Sequence, residues 1–267
     1  MTILKNRLDI VLVERGFFAS REKAKASIMA GIVYVDGQKV DKAGTSVDVE
    51  ADIFVKENIC PYVSRGGLKL EKALAEFDFN LDDTVCVDIG ASTGGFTDCM
   101  LQKGAVKVFA IDVGYGQLDW KLRNDSRVIN MEKTNIRHLD MDTVDKDIDF
   151  ISIDVSFISL KLVFPVASQL LGPDGSIVCL VKPQFEAGRE QVGKKGIVRD
   201  KNVHKEVIEN VIGYGQANGL YPHGLTFSPV TGAKGNIEYL LYLKKTPAEQ
   251  EIDVDGVVFS SHEVLEQ

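Results

Sequence analysis

Residues 84–98 read TVCVDIGASTGGFTD. The first half is a short run of apolar, mostly β-branched residues, which suits a strand buried on both faces. The second half is a turn of small residues that opens a helix. Such a turn lets backbone approach a ligand closely, and the helix N-terminus favours negative groups. Gly90, Gly94 and Gly95 do not have the G-x-G-x-x-G dinucleotide spacing, and a ligand-free strand-to-helix turn has the same composition. Three further apolar runs follow: VKVFAIDVG at 106–114, FISIDVS at 150–156 and GSIVCLVK at 175–182. Strands of this kind alternating with helical segments predict an α/β domain built on a parallel sheet. Residues 220–227 and 238–243, with no helix between them, suit an antiparallel pair at its edge.

Upstream of this stretch the pattern changes. Residues 5–16 read as a helix, with Leu8, Val11 and Leu12 on one face and Gly16 to end it. A second helix starts at the N-cap residue Ser20 and stops at Gly31. In VYVDGQKV at 33–40, Asp36-Gly37 is a hairpin signal, and a last strand lies at 53–55. These elements make a small α+β domain over 1–59. The turn formers of CPYVSRGG give a connector over 60–67, and an amphipathic helix over 68–77 carries Leu70, Ala73, Leu74 and Phe77 on its core side. The second domain then spans 68–246. Residues 247–267 read as a mobile, acidic C-terminal tail.

The 267 residues are 45% hydrophobic and 26% charged, ordinary for a globular protein. No apolar run reaches the roughly 18 residues of a membrane helix, and the charges within MTILKNRLDIVLVERG argue against a secretory signal. A cytoplasmic location is expected. The four cysteines form no CxxC pair and the four histidines show no zinc-ligand spacing, so no metal is expected. The net charge of −8 is unevenly distributed, because residues 246–267 hold six acids and no Lys or Arg. Residues 1–30 hold six basic and three acidic residues. General attraction to phosphate is therefore weak, and nucleic-acid contact has to come from local patches.

Charged residues end several of the apolar runs. Asp112 closes the second strand, where a carboxylate can accept both ribose hydroxyls of an adenosine ligand; a helix cap would look the same. With the Gly-rich turn it points to an adenosine-containing cofactor without choosing between a dinucleotide and others. Asp154 and Lys182 end two further strands, where open α/β sheets place their chemistry. Singly each reads as a cap or a solvated side chain. Together they predict a half-buried ion pair. Residues 188–200, GREQVGKKGIVRD, form a loop with four basic residues, suited to phosphate contact or simply to solvent.

Residues 7–37, RLDIVLVERGFFASREKAKASIMAGIVYVDG, resemble the S-four-type RNA-binding domain. VSRGGLKL, DIGASTGGFTD, IDVGYGQL, IDVSFISL, VKPQFE and GNIEYL resemble the FtsJ-like 2′-O-methyltransferases. In this two-domain order, over roughly 5–243, they resemble the TlyA family of ribosomal RNA methyltransferases, often labelled hemolysins. The resemblance implies a Rossmann-like methyltransferase with a mostly parallel seven-stranded sheet. It implies S-adenosylmethionine bound at Gly90, Ser92, Gly94, Gly95 and Asp112, with Glu132 or Asn135 toward the adenine. It implies a catalytic tetrad of Lys69, Asp154, Lys182 and Glu238. The roles it assigns to Lys69 and Glu238 have no signature of their own in the spacing.

The implied reaction is methyl transfer to a ribose 2′-hydroxyl, with cytidine in ribosomal RNA as the target and ribosomal subunits as partners. No membrane and no obligate protein partner is expected. A 2′-hydroxyl is a poor nucleophile, so a base must take its proton, and Lys182 is the candidate. Asp154 favours its ammonium form, while partial burial and Lys69 favour the neutral amine. Arg7, Arg15, Arg21, Lys23, Lys25 and Arg65 are the candidate RNA contacts, and Phe185 could stack on a flipped base. The rivals are a membrane-lytic protein, an RNA-binding protein without catalysis, and an NAD-dependent enzyme.

Overall fold

The computed structural model describes residues 4–18, 20–29, 31–56, 60–249 and 251–265. The chain divides into two compact units, residues 1–59 and 60–267. The limits expected for the first domain and the tail take in residues 1–3, 57–59 and 266–267, which lie outside the described residues.

The first unit runs β1 (Lys5–Arg7), α1 (Leu8–Glu14), α2 (Arg21–Met29), β2 (Val33–Val35), β3 (Gln38–Lys39), β4 (Ser46–Asp48) and β5 (Ile53–Val55). β1 pairs antiparallel with β4, and β2 lies between β3 and β5. Leu8, Val11, Leu12, Ala24, Ile28 and Val33 close a small core at 0–1% exposure. Asp36 and Gly37 sit at φ 50° and 76°, the left-handed pair that a two-residue hairpin needs. The helix expected from residue 5 begins instead at Leu8. Lys5-Asn6-Arg7 offers no apolar side chain to a helix face, and strand pairing satisfies its backbone.

The second unit runs α3 (Gly66–Glu76), β6 (Val85–Ile89), α4 (Gly95–Gln102), β7 (Lys107–Ile111), α5 (Trp120–Arg123), β8 (Val128–Met131) and β9 (Ile148–Ile153). It continues with α6 (Phe164–Leu170), β10 (Leu171–Val181), α7 (Pro183–Glu186), α8 (Lys201–Gln216), β11 (Tyr221–Phe227), β12 (Tyr239–Lys244) and α9 (Val254–Leu265). Among the described residues, seven strands form one sheet in the order β11-β12-β10-β9-β6-β7-β8. β8, β7, β6, β9 and β10 are parallel, while β12 runs antiparallel to both β10 and β11. This is the Rossmann-like, mostly parallel sheet expected from the sequence, with its antiparallel edge pair. Strand alternation divides the core: Val87, Ile89, Ile151 and Ile153 face one layer, and Cys86, Phe150, Val178 and Leu180 face the other.

The chain leaves β6 toward β7 and β8 on one side, then returns to β9 on the other. That reversal opens a crevice at the carboxyl ends of β6 and β9, the usual ligand position in such sheets.

Three elements go beyond the sequence reading. β8 is mostly exposed, so it lacks a continuous apolar run. α8 is a 16-residue helix whose buried His204, Val207, Ile208 and Val211 have the spacing of a core face. The expected mobile tail is corrected: residues 254–265 form α9, which packs on α8 and β11 with Val258, Ser261 and His262 buried. The connector is likewise fastened to the second unit. The Val63 N–H donates to Asp98 at 2.9 Å, and the Tyr62 hydroxyl to Glu71 at 2.8 Å.

Cys86, Cys99 and Cys179 are buried, and burial pushes the Cys86 and Cys99 thiols up to about 12, as inert core residues require. Among the described residues no helix is long and apolar enough to cross a membrane.

Candidate functional site

The turn after β6 needs its glycines for different reasons. Gly90 lies at φ +89°, and a Cβ there would sit 2.4 Å from the Asp154 carbonyl oxygen. Only glycine lets β6 run this close to the end of β9. Gly94, at φ +94°, packs against Leu118 and Leu122, and it lines neither cavity described below. Gly95 passes close to Ser64 and Gly67.

Beneath the turn lies Asp88, which the sequence reading did not single out. Its carboxylate is fully buried and accepts from the Thr97 N–H at 3.0 Å, the Thr97 hydroxyl at 2.7 Å and the Ser152 hydroxyl at 2.9 Å. It ties β6 to α4 and β9. Burial pushes the group up to about 6, against the hydrogen bonds from Thr97 and Ser152 and with help from the charge of Asp154.

Two cavities open at the crevice. The first, about 450 Å³, runs from Gly90 and Ser92 past Asp112 to Thr134, Asn135 and Ile136. Asp112 accepts from the Ser92 N–H at 2.8 Å and the Gly114 N–H at 2.6 Å. These bonds occupy two of a carboxylate's roughly four acceptor positions, so two remain for a ligand. Asn135 lines this cavity and Glu132 does not. Glu132 is committed elsewhere: it accepts from the Gln117 and Leu118 N–H groups and pairs with Arg123. Burial would raise this carboxylate, but the backbone donors and Arg123 pull it down to about 2.

The second cavity, about 500 Å³, contains Lys69, Asp154, Lys182 and Glu238 together. They form two ion pairs. Lys182 Nζ lies 2.5 Å from Asp154 Oδ1 and 3.1 Å from the Ser156 hydroxyl. Lys69 Nζ lies 2.6 Å from Glu238 Oε2, in a pair only 4–11% exposed at the side chains. Four elements supply these residues: α3, β12's entry and the ends of β9 and β10. Gly232 makes room for the last pair, since a Cβ there would lie 2.0 Å from Glu238 Oε1. Arg65 is exposed and lines the same cavity.

The cavities share Gly90, Ser92, Asp154, Ser156 and Phe157. Phe157 is 90% exposed at φ 63°, with its ring 4.8 Å from that of Phe185. A bulky residue in the left-handed region is strained. The segment is held at both ends, by the Ser156–Lys182 contact and by Glu186, which accepts from the Ser159 hydroxyl at 2.6 Å and the Leu160 N–H at 2.8 Å. Burial raises the Glu186 carboxyl. Ser156, Phe157 and Glu186 lie within the motifs IDVSFISL and VKPQFE, yet no local spacing marks their roles.

In the first unit, three of the candidate RNA contacts already have intramolecular partners. Arg7 and Arg21 both pair with the buried Asp9, at 2.9 and 2.8 Å. The hydrogen bond from Arg7 leads in holding the Asp9 carboxyl down at about 2, with Arg21 adding to it against burial. Arg15 donates to the Ala51 carbonyl at 2.6 Å. About half of the Arg7 and Arg21 side-chain surface still faces solvent. Lys23 is exposed and Lys25 half-buried.

Comparison with known proteins adds to this geometry. Residues 62–245 match the model of the FtsJ-like methyltransferase family, and residues 6–53 match the S4 domain. YqxC of Bacillus subtilis is 52% identical over 100% of this chain and 98% of its own length. The 16S/23S rRNA (cytidine-2′-O)-methyltransferase TlyA of Mycobacterium tuberculosis is 40% identical over 98% of this chain and 97% of its own. A solved structure from Streptococcus thermophilus is 46% identical, covers 99% of this chain and 98% of its own, and superposes with a TM-score of 0.79.

Proposed function

The chain belongs to the FtsJ-like methyltransferase family, and from that premise we propose that it transfers a methyl group from S-adenosylmethionine to a ribose 2′-hydroxyl of ribosomal RNA. The observation that carries this reading is the junction of the two cavities. One runs past Asp112, and the other contains both Lys–carboxylate pairs. The M. tuberculosis relative is named for cytidine 2′-O-methylation, and cytidine is the nucleoside proposed here.

The first cavity fits the cofactor. The close approach of backbone at Gly90, the strand-end carboxylate of Asp112 and the apolar walls of Ile89, Ile111 and Ile158 suit a nucleoside. Gly90 and Ser92 would hold it near its reactive end, Asp112 its ribose hydroxyls and Asn135 the edge of its adenine. Gly94 and Gly95 shape the turn. When bound, S-adenosylmethionine supplies an electrophilic methyl group on a sulfonium.

The second cavity takes the acceptor nucleotide. Lys182 Nζ takes the proton of the 2′-hydroxyl, and Asp154 and Ser156 aim the amine at it. Lys69, oriented by Glu238, lies in the same cavity and stabilises the negative charge that develops on the oxygen. Holding the hydroxyl in a fixed orientation beside the cofactor cavity would supply much of the acceleration. Phe157 and Phe185 offer ring faces to a flipped base. RNA docking falls to the first unit, through Arg7, Arg15, Arg21, Lys23 and Lys25, with Arg65 at the catalytic mouth. A ribosomal substrate places this work in the cytoplasm.

The test maps 2′-O-methyl groups on ribosomal RNA from cells with and without the gene, then complements with Lys182→Ala. The expected result is a site that vanishes without the gene and stays absent with the variant, although calorimetry finds normal S-adenosylmethionine binding. Full methylation by a Lys182→Ala protein would remove the lysine as the base. An unchanged methylation map would remove the ribosomal substrate.

A further inference from the structure

Glu238 lies just before the first residue of β12, where its carbonyl accepts from the Ser228 N–H at 2.8 Å. Its carboxylate must meet Lys69 from the far side of the sequence. What holds it is visible in its neighbours. Tyr239, the next residue, is completely buried, and its hydroxyl lies 2.7 Å from His204 Nδ1 and 3.0 Å from the Ser261 hydroxyl. Its ring meets that of His204 edge-on, with centroids 5.6 Å apart. His262 Nε2 reaches the same His204 nitrogen at 3.2 Å. Ser261 in turn lies 2.8 Å from the Val258 carbonyl, to which it can only donate. The cluster thus joins β12, α8 and α9 in a space with almost no solvent.

The other flank of Glu238 is held as firmly. Asn236, 2% exposed, accepts from the Val198 N–H at 3.2 Å and donates to the Gly196 and Ala233 carbonyls, each at 3.0 Å. His204 Nε2 lies 3.0 Å from the Val198 carbonyl. That oxygen only accepts, so Nε2 carries a proton. Val198 is therefore gripped from both sides, by Asn236 through its N–H and by His204 through its C=O. Side chains of adjacent extended residues leave the backbone on opposite sides. Locking the Tyr239 ring on one side consequently sets the direction in which Glu238 leaves on the other.

We propose that the buried His204–Tyr239–Ser261–His262 cluster is a positioning device for Glu238, and that the C-terminal helix closing it is a working part of the catalytic unit. Tyr239 is its central residue: it touches no reacting atom and acts through Glu238. The inference rests on the proposed role of Glu238 in the catalytic cavity.

The experiment is a double-mutant cycle on the full chain, with tritiated S-adenosylmethionine and ribosomal subunits from a strain lacking the gene. Tyr239→Phe removes only the hydroxyl. It is expected to lower kcat about tenfold, since even small misplacements of a catalytic constellation are costly, while KM for the subunits and the calorimetric Kd for cofactor stay within about twofold. In a Glu238→Gln background the same substitution is expected to have no further effect on kcat. Ser261→Ala should show the same pattern more weakly, and it serves if Tyr239→Phe folds poorly. His204→Gln, whose amide can still donate to the Val198 carbonyl, should retain more activity than His204→Ala.

An unchanged kcat in Tyr239→Phe and Ser261→Ala would overturn the proposal while leaving the role of Glu238 intact. An equal loss in both backgrounds would reduce the cluster to a general structural support and overturn it too. Full activity of Glu238→Gln alone would remove the carboxylate from catalysis, and the proposal with it.

Discussion

Asp88→Asn tests whether burial or hydrogen bonding governs the carboxylate under the Gly-rich turn. Burial dominates in this structure, holding the group at about 6. An unfolded aspartate titrates near 3.9. The native state therefore keeps a proton at Asp88 over the interval in which the unfolded chain has lost it. Where the native state binds more protons, stability falls as pH rises. Asp88 thus contributes stability that is fully present below about pH 4 and lost as pH rises through about 6. A difference of roughly two pKa units corresponds to about 3 kcal/mol at 1.36 kcal/mol per unit. Asp9 and Glu132, both held at about 2, act in the opposite sense, adding stability above about pH 4 that is lost as pH falls through about 2. The raw profile mixes all three, so the quantity to follow is the difference between wild type and variant.

Asparagine is a mild replacement. Its carbonyl can accept from both Thr97 donors, and its amide can donate to Ser152, whose hydroxyl is free to rotate. Urea unfolding followed by circular dichroism, at half-unit steps from pH 4 to 7.5 and with equal m-values, gives the difference directly. The stability of wild type minus that of Asp88→Asn should decline by about 2 kcal/mol across this range, the remainder of the loss falling below pH 4. A flat difference would mean that the carboxylate is not shifted. A rising one would mean that the Thr97 and Ser152 hydrogen bonds outweigh desolvation, and either result refutes the reasoning.

Gly90→Ala places a Cβ 2.4 Å from backbone at φ +89°. A loss of about 3 kcal/mol or more in urea unfolding, with weakened cofactor binding, is expected from the left-handed strain and the overpacking; wild-type stability would show that β6 and β9 can separate there without penalty. Asp112→Ala should weaken calorimetric S-adenosylmethionine binding by about tenfold to a hundredfold, the worth of hydrogen bonds to a charged group, with folding intact. Near-normal affinity would remove Asp112 from the cofactor site. Neutralising Lys23 and Lys25 together should make the log–log salt dependence of RNA binding shallower by about two units, one per phosphate contact. No change in slope would sink this patch. Arg21 is kept out of that test because losing it would also strip Asp9 of a partner.

The parallel strands were legible because burial on both faces demands continuous apolar runs, which one-dimensional reading detects. Asp154 and Lys182 were legible as a pair because each ends such a run, and strand ends on one sheet edge meet. β8 was not, because an edge strand with exposed Ile129 and Asn130 has no such run. α9 was misread as a mobile tail because its acids dominate the composition of 247–267, while its packing depends on Val258, Ser261 and His262 finding α8 and β11. Arg7 and Arg21 are visible as charges in any sequence reading, but that both pair with the buried Asp9 is decided by the fold.

By itself, the amino-acid sequence determined the parallel sheet, the close turn after β6, the charged ends of β9 and β10, and, through resemblance, the family. All of these depend on residues near one another in the chain or on the face of a single element. Only the tertiary structure decided that Lys69 and Glu238, 169 positions apart, form one buried pair, and that the final helix locks the residue beside Glu238. Periodicity reports which face a side chain occupies, whereas the partner across that face is chosen by packing of the whole chain.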